Sequence, residues 1–531
     1  MLPGTATTES NLATYFVDRN VSEGRGGHVA LLTAGAAVTY SELAELVNKV
    51  GNALTALGVV RGDRVLLALS DGVEFVATWY ACQKLGLVTA ECYTFLQPKD
   101  YAYYVTYTEA VVVVADATTL PLLRSAVGLL AAPQHSTVVV GADAGALVDR
   151  EHAFSALVDA ASGELAPSAV APRDVAVWKF TTGSTGNPKA CVHPASSPLA
   201  SFQAYAVSVL GLTEDDVVLP VPKLFFGYAR DLAAMFPLGV GGAGVIFPER
   251  TTAERIFELI AAFRPTILVN VPTMMSAMLS HPEAASQDLT CLRCCTSAGE
   301  ALPAELHRRW LDTFGVEVLD GIGSSEAYHI YVSNRPGRAR IGTVGEPVPG
   351  YTVRILGDDD HAGTSSAELP DGEIGRLAVT GPSIALGYHG DPERSRRAFL
   401  GDTVVSEDLF VRGADGYLSY RGRADDLLKV SGIWVAPTEV EECLLTHPAV
   451  VECAVVGKQA DGLTRPVAYV VATEAALADS EAGRSELAED LRSYVRARLS
   501  PHKCPREVLV VPQLPRTANG KLDRKALREG V

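Results

Sequence analysis

Phe180-Thr181-Thr182-Gly183-Ser184-Thr185-Gly186-Asn187-Pro188-Lys189 follows Val175-Ala176-Val177-Trp178, an apolar run of strand length. Thr181, Thr182, Ser184 and Thr185 are interleaved with Gly183 and Gly186. Glycine lets a backbone turn tightly and approach a ligand closely. Successive N–H groups in such a turn make a concave anion site, to which the hydroxyls add donors. Lys189 adds a compact positive charge. The stretch is suited to a polyphosphate. It is not the Walker A loop, which needs adjacent Gly-Lys; here Asn187 and Pro188 intervene.

Working outward, Thr39–Gly58 predicts a helix: Thr39 and Glu42 form a capping-box pattern, and Leu43, Leu46, Val47, Val50, Leu54 and Leu57 share a face. Val65–Leu69 reads as a strand, Val73–Leu85 as a helix, and Val111–Ala115 and Thr137–Val140 as strands. The alternation resumes with Ala243–Phe247, Thr252–Phe263, Thr266–Val271 and Val316–Leu319. This pattern predicts an α/β fold with doubly wound parallel sheets. Near residue 350 the texture changes to short strands, Tyr351–Leu356, Gly375–Thr380 and Tyr417–Tyr420, with an exposed loop at Gly357–Gly372. A compact tail follows Ala424. We therefore expect a large N-terminal domain, residues 1–424, containing a small β-rich subdomain, and a small α+β C-terminal domain, residues 425–531.

At 531 residues the chain is too long for one ordinary domain. A net charge of −17 argues against a nucleic-acid surface and an anionic membrane surface. No apolar run approaches the roughly 18 residues of a membrane helix, and Met1–Asn11 shows no secretory signal. Nine scattered cysteines suit reduced thiols in a cytoplasm. The Cys291, Cys294 and Cys295 cluster lacks a second pair at zinc-site spacing, and buried small hydrophobes are the better reading. Against the acidic whole, the tail is locally basic, with Arg492, Arg496, Arg498, Lys503, Arg506, Arg516, Lys521, Arg524, Lys525 and Arg528 suggesting an anion-facing surface.

Further motifs follow the Gly-rich loop in order: Ser297-Ala298-Gly299-Glu300; Asp320-Gly321-Ile322-Gly323-Ser324-Ser325-Glu326; Ser406-Glu407-Asp408; Gly422-Arg423-Ala424-Asp425-Asp426; Lys429-Val430-Ser431-Gly432; and Arg516-Thr517-Ala518-Asn519-Gly520-Lys521. Together they resemble the adenylate-forming superfamily of acyl-CoA synthetases, peptide-synthetase adenylation domains and luciferases, over essentially the whole chain. Lys223-Leu224-Phe225-Phe226-Gly227-Tyr228, Tyr328-His329-Ile330, Ser333-Asn334-Arg335-Pro336-Gly337 and the Tyr101-Ala102-Tyr103 region are most similar to benzoate–CoA ligases.

The resemblance implies that a carboxylate attacks the α-phosphate of ATP, and that a thiol then attacks the acyl-AMP. It implies that Thr181–Gly186 and Lys189 hold the β,γ-phosphates and that Glu326 carries Mg²⁺. Asp408 and Arg423 would bind ribose, with Gly299, Glu300 and Asp320–Ser325, Ile322 among them, around the nucleotide. Lys521 would bridge carboxylate and α-phosphate. Asp425 would be a hinge about which a mobile C-terminal domain turns, withdrawing Lys521 and bringing Lys429–Gly432 to the thiol. Phe226, Gly227, Tyr228, Ala298, Tyr328, His329 and Ile330 would line an aryl slot. Tyr228, Tyr328 and His329 can each offer a polar tip, which points to a hydroxy- or amino-substituted benzoate.

The implied partners are the aryl acid, ATP and CoA, for a monomer or homodimer; the alternative acceptor is a carrier protein's phosphopantetheine, an amine or another nucleophile. A non-catalytic nucleotide or acyl-adenylate binder is the alternative from another class; intact Lys189, Glu326, Asp408, Arg423 and Lys521 argue against it. The pattern departs from its relatives at Ala190, where Gly is usual, at Glu407, which puts a charge near the nucleotide, and at Ala229-Arg230-Asp231, where benzoate–CoA ligases have Gly-Leu-Gly.

Lys521→Ala should abolish acid-dependent pyrophosphate exchange by about 10²–10³-fold or more, as expected for a lost charge aimed at the developing transition state. It should leave thioester formation from preformed aryl-AMP largely intact. Equal loss of both steps would refute the alternation.

Overall fold

Thr39 closes the predicted capping box: its hydroxyl accepts from the Glu42 N–H at 3.2 Å, and its own N–H donates to the Glu42 carboxylate at 2.8 Å. The helix runs Tyr40–Ala56 and buries Leu43, Val47, Val50 and Leu54. Val73–Leu85 is helical as expected and ends on the left-handed Gly86, φ 70°. These elements come from a computed structural model describing residues 10–130, 135–181, 187–357, 367–430, 433–460, 463–473, 476, 481–517 and 522–530.

Among the described residues the strands make two large sheets and three smaller ones. In the eight-stranded sheet, Val175–Thr181 lies beside Val88–Glu91, followed by Arg64–Ala68, Val112–Asp116, Ser136–Val140 and Glu151–Ala153, all parallel. On its other side comes Lys189–Pro194, antiparallel, with Thr181 opposite Lys189. The sequence reading did not include that strand; Lys-Ala-Cys-Val-His-Pro has no apolar alternation to reveal it. The nine-stranded sheet has a parallel centre containing Val217–Pro220, Ala243–Val245, Ile267–Asn270, Cys294–Ser297 and Val318–Gly323. Cys294 and Cys295 are buried in it. Val318–Gly323 runs further than predicted because it pairs antiparallel with Ile330–Ser333, which carries the motif strand out to Gly323.

Thr352–Leu356, Ile374–Thr380, Thr403–Arg412 and Leu418–Arg423 form the expected β-rich unit with Phe399–Leu400. One hydrophobic core packs both large sheets and reaches this unit. A separate core, including Val440, Leu444, Val455, Ala468, Leu491 and Val495, belongs to the tail. There, Arg524 is paired with Glu441 at 2.7 Å. Arg492, Lys503, Arg516, Lys525 and Arg528 likewise have acidic partners, so much of the basic tail is neutralised within the chain. No helix among the described residues is long and apolar enough to cross a membrane.

Gly244 allows the strand Ala243–Val245 to lie directly against the helix Gly227–Ala234, because a Cβ there would collide with the Ala233 carbonyl. Gly244→Ala must push that helix off the sheet, and overpacking of this kind costs about 1–3 kcal/mol. A clear drop in the thermal unfolding midpoint is expected; an unchanged midpoint would contradict this packing.

Candidate active site

The antiparallel pairing of Val175–Thr181 with Lys189–Pro194 sets the base of the Gly-rich loop. Thr182, Gly183, Ser184, Thr185, Gly186, Gly432 and Lys521, and the side chains of Asp425 and Lys429, lie outside the described residues. Two tyrosines of the helix Pro98–Thr108 fix the flanks of Lys189: Tyr103 donates to the Pro188 carbonyl at 2.7 Å, and the Tyr107 hydroxyl accepts from the Ala190 N–H at 3.2 Å. Ala190 is itself fully buried.

Lys189 Nζ lies 3.8 Å from the centroid of the Tyr388 ring. Tyr388 donates to Glu326 Oε1 at 2.8 Å. The structure therefore brings Lys189 and Glu326 together through Tyr388, a residue that sequence reasoning missed. Tyr388 sits in a two-residue strand, Gly387–Tyr388, paired with Lys189–Pro194, too short to leave a periodic signal. Partial burial lowers the Lys189 pKa, and Glu326 pulls it back up. Ser324 accepts from the Ala327 N–H at 3.2 Å, and Ser325 donates to the Phe180 carbonyl at 3.2 Å, which ties the Glu326 loop to the phosphate strand.

Asp408 lies within Thr403–Arg412, and Arg423 ends Leu418–Arg423. Asp408 and Arg423 are register partners 3.8 Å apart. Glu407 lies 3.8 Å from Arg376, in the irregular stretch where Thr403–Arg412 shifts register against Ile374–Thr380. Gly299 takes φ +86°, a backbone that favours glycine. Glu300 accepts from the Thr273 hydroxyl at 2.6 Å, and that hydroxyl accepts from Arg516 of the tail at 3.1 Å. The tail thus docks at the Glu300 edge. Gly321, Ile322 and Gly323 lie on Val318–Gly323; a Cβ on Gly321 or Gly323 would meet the Val332 or His329 carbonyl. Burial holds the Asp320 carboxyl well above its ordinary range.

The aryl-slot candidates gather round the helix Gly227–Ala234 and the segment 327–330. Tyr328 has φ 71°, a left-handed conformation that costs a bulky residue about 1–3 kcal/mol and persists only where its surroundings impose it. Its carbonyl accepts from Lys179 Nζ at 2.6 Å, and Lys179 also donates to Asp231 at 2.7 Å. Arg230 donates to Asp231 at 2.8 Å and pairs with Glu91, which also accepts from Trp79 Nε1 at 2.9 Å. Lys179, Arg230, Asp231 and Glu91 are almost completely buried.

Burial pushes the Lys179 ammonium down to about 8 against the pull of Asp231. Burial opposes ionisation of Asp231, but Arg230 and Lys179 outweigh it and hold the carboxyl at about 2. Two of the expected polar tips are already engaged by the protein. The Tyr328 hydroxyl lies 3.2 Å from Asp231 and 3.3 Å from Arg230, and Tyr228 is bonded to Thr296 at 2.6 Å. His329 is held neutral by burial, its pKa near 3, with Nε2 3.4 Å from the Tyr228 carbonyl and no partner at Nδ1 among the described residues. Ala298 and Ile330 are buried, and Phe226 packs on Phe225 and Tyr93.

Strands of the two sheets thus bring Lys189 and Glu326 to either side of Tyr388, a grouping suited to phosphate chemistry, near aromatic side chains backed by buried charge. The chain belongs to the AMP-binding enzyme family, matched over residues 17–389, with the C-terminal domain of that family at residues 439–521. It is 40% identical to a benzoate–CoA ligase of Thauera aromatica, over 98% of this chain and 95% of that protein. It is 37% identical to a 4-hydroxybenzoate–CoA/benzoate–CoA ligase of Rhodopseudomonas palustris, over 98% and 94%. A solved structure of the anthranilate CoA ligase AuaEII in complex with anthranoyl-AMP is 35% identical, with a TM-score of 0.91, covering 99% of this chain and 98% of that one.

Tyr388→Phe removes the hydroxyl that orients Glu326. A hydrogen bond to a charged group contributes about 1.5–3 kcal/mol, so ATP-dependent adenylation should fall roughly tenfold or more, with little effect on folding. Unaltered kcat/KM for ATP would show that Glu326 needs no such support.

Proposed function

We propose that this chain is an AMP-forming aryl acid–thiol ligase. The aryl carboxylate oxygen bonds to the α-phosphorus of ATP and pyrophosphate leaves; the CoA sulfur then bonds to the acyl carbon and AMP leaves. The observation that carries the reading is the sharing of one short segment. Glu326, beside Lys189, and Tyr328–Ile330, along the slot, lie within a few residues of one another, so nucleotide and acid would be held against the same backbone. Positioning and charge neutralisation are what this reaction needs.

In this reading Lys189 and the loop hydroxyls neutralise the β,γ-phosphates. Glu326 suits Mg²⁺, a hard cation that takes a carboxylate together with phosphate oxygens, and the ion would offset triphosphate charge. Asp408 accepts from the ribose hydroxyls and Arg423 donates to them. Lys521 brings carboxylate and α-phosphate together. Docking of Arg516 at the Glu300 edge supports a tail that serves the nucleotide side first. A hinge at Asp425, between residues 1–424 and 425–531, would then present Lys429–Gly432 to the thiol. The acid is a substituted benzoate, because buried charge behind Gly227 suits a ring that carries a polar group.

The test is acid-dependent ATP–pyrophosphate exchange with Mg²⁺ across benzoates, cinnamates and short fatty acids, followed by thioester formation with CoA and with a phosphopantetheinylated carrier. Exchange with an aryl acid and transfer to CoA are expected. No exchange with any acid, from folded protein, would sink the reading.

A further inference from the structure

The head of Lys179 lies against Gly227 and the Tyr328 ring, two residues that the ligase reading sets along the slot. Its Nζ has three N–H groups. One donates to Asp231 at 2.7 Å and one to the Tyr328 carbonyl at 2.6 Å. The third is left beside the Tyr328 ring, whose centroid is 3.6 Å away, and beside Gly227. A Cβ on residue 227 would lie 2.5 Å from Nζ and 2.6 Å from Cε. The ammonium therefore fills the space a side chain at 227 would occupy.

The other charged groups are spent on one another. Asp231 Oδ1 accepts from Arg230 Nε, Arg230 Nη2 and Tyr328, and Oδ2 accepts from Lys179. Arg230 Nη1 is taken by Glu91. The two cations and two carboxylates cancel formally, so a second full negative charge has no unbalanced partner there. A neutral oxygen lone pair, by contrast, is a better acceptor for the third N–H than an aromatic face.

We propose that Lys179 is the specificity-determining residue of the acyl slot, its ammonium donating to the oxygen of a ring hydroxyl, so that the acid is a hydroxybenzoate. An aryl amine has a weak, delocalised lone pair and presents N–H to N–H, so it is disfavoured. Benzoate leaves the third N–H facing only carbon. The proposal rests on the ligase reading above and on Gly227 and Tyr328 lining its slot.

The experiment measures kcat/KM by pyrophosphate exchange for benzoate and for the isomeric hydroxybenzoates and aminobenzoates, in the full-length wild type, Lys179→Met and Gly227→Ala. The wild type should prefer one hydroxybenzoate over benzoate and over the matching aminobenzoate by tenfold or more, as sites built around a substrate hydroxyl do. Lys179→Met should remove most of that preference. Gly227→Ala, whose Cβ displaces the ammonium while leaving Asp231 its lysine, should erode it in the same direction. A purely structural role would lower all the acids in proportion. Proportional loss, an unchanged ranking, or an aminobenzoate tracking the hydroxybenzoate overturns the proposal while the ligase reading stands. If Lys179→Met does not fold, the ranking of Gly227→Ala decides. Absence of exchange with every acid in the wild type overturns both.

Discussion

The pairing of Lys179 with Asp231 lies where three parts of the chain meet. Lys179 belongs to the strand that leads into the Gly-rich loop, Asp231 to the helix behind the aryl segment, and the Tyr328 carbonyl to the loop after Glu326. Desolvating such a pair offsets much of its attraction, so replacing the whole network with apolar groups could be neutral or stabilising. Breaking one partner is different: it strands a buried charge at about 3–5 kcal/mol. The network is thus a poor source of net stability and a strict constraint on geometry. It admits one arrangement of strand, helix and loop, and this arrangement sets the polarity of the slot.

Much of the scaffold was legible because local signals agree with one another there. The helix Tyr40–Ala56 carries its own cap and face, and the parallel strands are buried apolar runs between turns. The Gly-rich loop and Glu326 read as motifs because glycine, hydroxyls and charge lie close together in the chain, as a phosphate site would need. The network was not. Glu91, Lys179 and Arg230–Asp231 are far apart in sequence, and each reads alone as a charge at an element end. Arg230 and Asp231 stood out only as departures from relatives with Gly-Leu-Gly. Lys179 follows an apolar run at a point where a strand would be expected to surface, yet its neighbours in space keep it buried. Tyr388 was hidden because an aromatic after glycine has many uses, and only strand pairing sets it between Lys189 and Glu326.

The same distinction explains where motif reading and structure part. Motifs report which residue types a site needs, and they do not report which hydrogen-bonding capacity the fold has already consumed. Tyr228 and Tyr328 have the right chemistry to greet a polar substituent, but Thr296, Asp231 and Arg230 engage their hydroxyls first. Glu407 has the right neighbours in sequence to disturb a nucleotide, and the fold sets Arg376 3.8 Å from its carboxylate. Buried polar groups satisfy one another wherever they can, so the group left to meet a ligand is whichever the packing leaves with spare capacity.

That consideration also bears on why Tyr328 is held in a strained backbone. Between Gly323 and Ile330 the chain must leave one strand, present Glu326 to Tyr388, and return to pair antiparallel with the strand it left. The Ala327 N–H is taken by Ser324, and the Ala327 carbonyl accepts from His329 N–H at 3.0 Å and from Ser383 at 2.6 Å. Reversal in so few residues puts one of them at positive φ, and it falls on Tyr328. Glycine there would relieve the strain and lose the ring that packs over Lys179. A tyrosine over-determined by its carbonyl, its hydroxyl and its face is rigid on all sides. The carboxylate two residues earlier inherits that rigidity. An acid seated on the Lys179 wall would therefore press against the same stiff loop that positions Glu326, and its fit would be felt at the phosphates with no moving part between.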